Sequence, residues 1–382
     1  MKISSFRPLM FSSGKGHFYS QPFDTISEKE AELLRALPAN ITQLTLPASV
    51  EEAQSVLSRW KGDGTLQRAD AETVLAVEQR FSHGGREMVR LGIICLVDVF
   101  PVAGDIKPHE RTFPGPMKGR YRLMKAISCI PEPIFLITPA EGLTRTIGSA
   151  ISSSERLLRF EDPAGVENSV FAVTDEAAIA AIREAAAGSD AIVADGHHRL
   201  AAVREIAEEA SSAGDGRWNR ILAYVTEADP QGLLIAGIHR IVRNPPGRSV
   251  SAADLAATFD IGPPEGAPDT RALAIYDGAM HMLSLRDGGP IGGSEAPGIV
   301  LNELLAGCLG FTSDEIEKSV RYTHDSGEAV AAVDSGAAPF ALLMPEWRVE
   351  SFTEMVSRGE LLPQKSTFFF PKVPSGIALH EP

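Results

Sequence analysis

The chain has 382 residues, 44% of them hydrophobic and 23% charged, with a formal net charge of −14. That length is too great for one small domain and suits two or three, and the apolar share is ordinary for a well-cored protein. The acidity argues against a general nucleic-acid or anionic-membrane surface, while leaving room for a local basic pocket that holds one small anion. Cys95, Cys129 and Cys308 are widely spaced, each beside apolar residues. They read as buried free thiols of a reducing compartment, not as a disulfide frame or a zinc site. No apolar run has the length of a membrane span, and the start, Met1 to Phe6, lacks the apolar core of a secretion signal, so a cytoplasmic location is expected.

Ser27 with Glu30 and Ser49 with Glu52 fit capping boxes, which predicts helices over 28–37 and 50–60. Residues 41–46 between them alternate and predict a strand, and 61–64 a turn. Strands are predicted over 73–81 and 89–100, with Gly84-Gly85 suiting a hairpin loop. A polar, proline-broken segment over 104–115 follows, of the kind that often binds ligands. It carries His109-Glu110, with no second histidine four residues on, which excludes a zinc-protease helix. A helix over 120–127, strands over 134–138 and 169–173, and a helix capped by Asp175 and running to about 187 come next. Residues 221–225 and 233–242 predict two more strands, the second ending just past His239-Arg240.

Asn244-Pro245-Pro246-Gly247 marks a boundary near 245. The glycine-rich stretch 287–298 reads as a hairpin connector or a flexible loop. Thr312 with Glu315 and Ser351 with Glu354 predict two more capped helices, the latter ending at Gly359, and 339–344 predicts a strand. The expected fold class is α/β (α+β) with a mixed sheet. Three parts are expected: 1–88 as an α/β extension, 89–245 as the core, and 246–382 as an α+β part.

Chemistry concentrates at residues 191–200. Ala191 to Ala194 reads as a buried strand, followed by Asp195-Gly196-His197-His198-Arg199. From Arg199 a helical period takes over, with Leu200, Val203, Ile206 and Ala207. Backbone N–H groups at such a strand–helix junction suit a phosphate or carboxylate. Gly196 permits close backbone approach, and Arg199 offers a planar fork of donors. The plainer alternative is a helix that merely starts with polar residues. His239, on an apolar strand, is of the kind usually satisfied within a core. Lys365-Ser366-Thr367 looks like the end of a phosphate loop, but the glycines such a loop requires are missing. What remains is Lys365 and Lys372 flanking an aromatic strand, either neutralising one bound phosphate or serving as surface charges.

Taken together these stretches resemble the family catalogued as Domain of Unknown Function 1015. The resemblance rests on Pro22-Phe23-Asp24, on His109-Glu110 with Thr112, on Arg122-Leu123, and on Pro133-Ile134-Phe135. It continues through Ala194-Asp195-Gly196-His197-His198-Arg199, His239-Arg240 and the stretch from Pro363 to Lys372. Departures occur at Gln21, Tyr121 and Leu200, where family members usually carry other residues. A more distant resemblance, of the His-Glu and Asp-Gly-His-His-Arg elements, is to the ParB/sulfiredoxin superfamily and within it to free-serine kinases. That resemblance implies a ParB/sulfiredoxin-like core over 89–245 and a small-molecule phosphotransferase moving a phosphoryl group from a nucleotide, ATP or ADP, to a hydroxyl of an amino acid or related metabolite.

The same resemblance implies roles. Glu110, with His109 and His198, would be catalytic, and Glu110 could accept the proton of the attacking hydroxyl. Asp195, Gly196, His197, His198 and Arg199, with Lys365, Ser366, Thr367 and Lys372, would bind the nucleotide phosphates. Arg122, His239 and Arg240 would meet the substrate, and Asp195 could hold Mg2+ through water. The alternatives are a nucleotide-binding regulatory module without phosphoryl transfer, and a phosphoester hydrolase. Nucleotide and a small-molecule substrate are the expected partners, with neither nucleic acid nor membrane.

Overall fold

The computed structural model describes residues 1–12, 17–102, 104–110, 114–263, 272–286 and 289–382. Among these the chain forms two compact units. The first comprises Met1–Pro108, Thr112–Gly232 and Pro371–Pro382; the second comprises His109–Arg111 and Leu233–Phe370. These divisions differ from the three parts expected. Residue 88 lies within the strand Arg86–Asp98, which pairs with Val74–His83 as far as Ile94.

In the first unit the strands are β1 (Ile3–Ser4), β2 (Leu9–Phe11), β3 (Leu66–Arg68), β4 (Val74–His83), β5 (Arg86–Asp98), β6 (Ile106–Lys107), β7 (Ile134–Thr138), β8 (Glu155–Glu161), β9 (Glu167–Val173), β10 (Ala191–Asp195) and β11 (Arg220–Glu227). Its helices are α1 (Glu28–Arg35), α2 (Thr42–Thr45), α3 (Val50–Gly62), α4 (Pro114–Ile127), α5 (Leu143–Ile151), α6 (Glu176–Ala185) and α7 (His197–Ser212). One sheet runs β6-β10-β7-β11-β5-β4-β9-β8, with β1 paired to β5. It is mixed: β10 is parallel to β6 and β11 to β7, whereas β4, β5, β8 and β9 form an antiparallel meander. The mixed α/β class expected from the sequence is the class found.

Local chemistry accounts for much of this. Ser27 and Glu30 close a full capping box at α1, and the Ser49 hydroxyl accepts the Glu52 N–H at α3. Gly84 and Gly85 both take positive φ in the β4–β5 turn, the geometry that matches strand twist. Ile134 to Thr138 is buried throughout, as a strand covered on both faces must be.

Residues 41–46 are a correction. They form the helical turn α2, not a strand. Ile41 and Leu44 are both 0% exposed, and every residue of α2 is buried, so the alternation does not mark one wet and one dry face. The Asn40 side chain accepts the Thr42 N–H and starts the turn, a local bond that competes with strand geometry. Among the elements for which the sequence predicts nothing are α5 and β8. Strand β8 is an edge strand whose residues are all partly or fully exposed, so its pattern lacks a dry face.

The second unit contains β12 (Leu234–Gly237), β13 (His239–Val242), β14 (Phe259–Gly262), β15 (Ala274–Tyr276), β16 (Met280–Leu285), β17 (Val320–Thr323), β18 (Phe340–Leu343) and β19 (Thr367–Phe370). An antiparallel sheet runs β14-β16-β15-β18-β13-β17, and β12 pairs with β19 separately. The single strand expected over 233–242 is therefore two, in different sheets. At Gly237, between them, a Cβ would come within 2.5 Å of Met344 Cβ, a close backbone approach that only glycine allows. Helices α8 (Ala296–Gly298), α9 (Ser313–Ser319), α10 (Ser326–Asp334) and α11 (Val349–Ser357) complete this unit. Between α8 and α9, Ile299–Cys308 is wound as a π-helix.

Thr312 and Glu315 form the expected capping box. The box expected at Ser351 and Glu354 is not formed, because α11 begins two residues earlier and both lie inside it. Part of the 287–298 stretch, residues 287 and 288, lies outside the described residues, and its end enters α8. All three cysteines are free; Cys95 and Cys129 are buried and Cys308 is partly so. Among the described residues no helix is long and apolar enough to cross a membrane.

Candidate functional site

The junction at residue 195 is built by β10 and α7. Gly196 caps α7 with φ +93, and no side chain caps the first turn. A Cβ at 196 would lie 2.8 Å from Ile134 Cγ2 and 3.1 Å from Arg199 Nε, so both conformation and space demand glycine. The sixteen-residue helix that follows presents a positive dipole end at this point.

Around the junction stands a buried ionic network. Arg199 Nη2 donates to Asp195 Oδ2 at 3.1 Å, and Arg199 Nη1 donates to the Pro133 carbonyl at 2.6 Å. Arg199 Nη1 also lies 3.6 Å from Glu132 Oε2, which accepts the Ser375 hydroxyl at 2.6 Å. Lys372 Nζ stands 3.8 Å from the other oxygen, Asp195 Oδ1. Arg199 Nε is buried with no hydrogen-bond partner among the described residues. The Phe23 ring receives the guanidinium groups of Arg120 at 4.1 Å and Arg199 at 5.7 Å, both within cation–π range.

The charges tune one another. Burial opposes the Arg199 charge, but Glu132, Asp195 and Asp24 more than offset it and raise its pKa. Burial alone would raise the Asp195 carboxyl; Lys372, Arg199, His197 and the Gly196 N–H together bring it below the usual range. Asp24 moves the other way. The residue is exposed, yet desolvation of its carboxyl followed by the Asp195 charge pushes it up, against Lys372 and Arg199. The network is thus one where Asp195 stays ionised and Asp24 holds its proton more readily. His197, 7% exposed, also faces a cavity of about 600 Å³ with Ile106, Val193, Leu200 and Arg204 on its walls.

Of the residues named from the sequence, Asp195, Gly196, His197, His198, Arg199 and Lys372 belong to the first unit, where Lys372 joins the junction. Arg122 is in the same unit, exposed on α4. The others belong to the second unit. There His109 is buried, its Nε2 2.9 Å from Thr367 Oγ1 and its ring edge-on to Phe352 and Phe369. Glu110 is half-buried and pairs in a parallel bridge with Leu362. Ser366 is buried and donates to the Pro363 carbonyl at 2.5 Å, while Lys365 is exposed with φ +59.

His239 and Arg240 are held within the second unit's sheet. His239 Nδ1 accepts the Met344 N–H at 2.9 Å, the satisfied core arrangement that a histidine on an apolar strand suggests. Burial and the Arg240 charge lower its pKa to about 4. Arg240 donates to the Ile238 carbonyl and lies 5.5 Å from the Tyr322 ring centroid, and burial lowers its pKa to about 10.

Asp24, Glu132 and Phe23 are site residues to which sequence reasoning assigned no role. Phe23 and Asp24 lie in the Pro22-Phe23-Asp24 motif, which pointed to them without a chemistry, whereas Glu132 only precedes the Pro133-Ile134-Phe135 motif. Magnesium, implied by the resemblance, calls for several oxygen donors. Asp195 commits one oxygen to Arg199 and the other to Lys372, and among the described residues no three His, Cys, Asp or Glu gather to hold a metal. The protein side chains here do not build a magnesium cage.

The chain belongs to the family described as "Protein of unknown function (DUF1015)", whose model matches residues 10–307. That span contains the His109-Glu110, Asp195–Arg199 and His239-Arg240 elements and stops short of the Pro363–Lys372 stretch. No match was found among curated proteins.

Among solved structures, a conserved hypothetical protein from Pyrococcus furiosus is similar at 14% identity and a TM-score of 0.40, over 75% of this chain and 94% of that one. A free serine kinase in complex with AMP is similar at 12% identity and a TM-score of 0.40, over 72% of this chain and 86% of the other. SbnI from Staphylococcus aureus, truncated at its C-terminus, is similar at 12% identity and a TM-score of 0.40, over 73% and 84%.

Proposed function

We propose that this protein binds the phosphates of a nucleotide at the start of α7 and transfers a phosphoryl group to a hydroxyl of an amino acid or similar metabolite. The observation that carries the reading is the glycine-capped start of α7, with Lys372 and Arg199 at the same carboxylate, Asp195. Helix-end N–H groups and a lysine form a receptor for phosphate oxygens. Arg199, clamped by Asp195, Glu132 and the Pro133 carbonyl, acts as the rigid base of that receptor. In the transfer, the bond from the donor oxygen to phosphorus breaks and a bond from the acceptor's hydroxyl oxygen to the same phosphorus forms. The hydroxyl proton goes to a carboxylate acting as base, the role that the resemblance of the His109-Glu110 element implies for Glu110. Phosphorus NMR of the protein with ATP or ADP, magnesium and a panel of hydroxylated amino acids tests this. A new phosphomonoester signal is expected, and its absence with every acceptor overturns transfer.

One observation favours a second reading, a nucleotide-responsive module without transfer. Lys372 is already paired with Asp195, so an incoming phosphate competes with that carboxylate for the ammonium, and this exchange of partners is the response. Saturable nucleotide binding that survives Glu110→Gln, with no phosphoester formed by the unsubstituted protein, selects this reading. Phosphate release in the absence of any acceptor would select a hydrolase.

A further inference from the structure

Behind Lys372 lies a row of buried polar side chains that the site does not use directly. Asn168 on β9, Gln79 on β4 and Arg90 on β5 stand directly opposite one another across three adjacent strands, and they are 0%, 0% and 2% exposed. The Gln79 amide donates to Asn168 Oδ1 at 2.8 Å and to the Lys372 carbonyl at 3.0 Å. Arg90 donates through Nε and Nη2 to Gln79 Oε1, and through Nη2 to the Pro371 carbonyl at 2.5 Å. The Asn168 amide in turn donates to the Val166 carbonyl at 2.9 Å and approaches Asp162 Oδ2 at 3.4 Å.

The guanidinium of Arg90 is exceptional in its company. Its charge meets the faces of Phe135 at 4.7 Å and Tyr224 at 5.3 Å, and no carboxylate is among the groups that perturb it. Burial lowers its pKa, the mark of a cation that its surroundings do not fully compensate. Space for the Tyr224 ring comes from Gly92, where a Cβ would fall 2.2 Å from Tyr224 Cζ. A buried cation without an acid is costly, so such an arrangement stabilises the fold less than an apolar pair would. What it does accomplish is geometric: two consecutive carbonyls, of Pro371 and Lys372, are gripped by two side chains that are themselves fixed from the next strands.

We propose that Arg90 and Gln79, backed by Asn168, are positioning residues that hold the Pro371–Lys372 backbone so that the Lys372 ammonium is presented at Asp195 and the start of α7. The grip acts on the main chain, and the lysine side chain inherits its place. This rests on reading that junction as an anion site, but the placement of the lysine can be measured without any ligand.

Gln79→Glu isolates the device. It keeps the acceptor for Arg90, and even supplies a counter-ion, while removing the N–H that holds the Lys372 carbonyl. The expected result is a protein that still folds, with the bond from Gln79 to Asn168 lost as well. The dissociation constants for ADP and for inorganic phosphate should rise about tenfold, the effect of about one lost hydrogen bond. In a Lys372→Met background the same substitution should change affinity less than about twofold, because its effect passes through the lysine.

Amine acylation followed by mass spectrometry supplies the ligand-free measurement. Lys372, 10% exposed at its side chain, should label slowly in the unsubstituted protein and several-fold faster with Glu at 79. Unchanged labelling overturns the proposal, as does an affinity loss that persists in full without Lys372. If neither ligand binds any form, the anion-site reading fails while the labelling still decides the positioning. Should Gln79→Glu not fold, Gln79→Met removes the same N–H and carries the same expectations for affinity and labelling.

Discussion

Arg199 and Glu132 face each other 3.6 Å apart with 4% and 2% of their side chains exposed, an ion pair enclosed on both sides. Removing one partner of such a pair strands the other. Glu132→Gln keeps a group for the Ser375 hydroxyl but leaves Arg199 with Asp195 as its close acid, and should cost about 3 kcal/mol. Arg199→Met added to Glu132→Gln should recover part of that loss. Urea unfolding of the two variants beside the unsubstituted protein measures both effects.

Gly196→Ala should be destabilising by at least about 2 kcal/mol, since it combines positive φ with a 2.8 Å approach to Ile134 Cγ2. Ile134→Ala should relieve the crowding but not the backbone strain, so the double variant should regain only part of the melting temperature. Gly84→Ala, with positive φ but nothing within 4 Å of its Cβ, gives the strain alone for comparison.

The two aspartates predict opposite pH behaviour. Asp195 has a lowered folded pKa, so its contribution is complete above the unfolded value near 3.8 and is lost as pH falls through the folded value. Asp24 has a raised folded pKa, so its ionisation weakens the fold at neutral pH and that penalty is relieved as pH falls through the raised value toward 3.8. Asp24→Asn should therefore raise the melting temperature at pH 7, modestly because solvent reaches the residue, and the gain should shrink on acidification. A gain that is flat across pH would contradict the sign.

Histidine burial sets the acid limit from another direction. His239 and His380 are both lowered to about 4 by burial, so between pH 6.5 and 4 the unfolded chain binds protons that the folded chain refuses. Stability should fall through that window. His239→Gln should flatten the slope, because the Nδ1 that accepts the Met344 N–H no longer has to stay unprotonated. Melting temperatures at half-unit pH steps provide the check.

Legibility of the sequence followed the range of the physics involved. Several short-range signals read true, though not the Ser351–Glu354 box: the Ser27–Glu30 box, the Gly84-Gly85 turn and the Asp175 cap all depend on neighbours a few residues away. Patterns failed where a segment is wet on no face or on both, as in the buried turn α2 and the exposed edge β8. The junction at Asp195–Arg199 was visible because five polar or glycine positions follow a buried strand. Asp24 and Glu132 received no role, because they stand 171 and 63 residues away in sequence, separations that leave no local pattern, and Lys372, 177 residues away, reads equally as a phosphate ligand or a surface charge. Lys365 and Lys372 look equivalent in sequence, yet β19 lies between them and they end in different units.

The central claim is that the start of α7 with Lys372 is a receptor for nucleotide phosphate. Titration calorimetry with ADP, on the unsubstituted protein and on Lys372→Met, tests it most directly. The account predicts saturable one-site binding that weakens about tenfold or more when the lysine is lost and that falls with added salt. Binding of equal strength in both proteins, or none in the unsubstituted one, would contradict it.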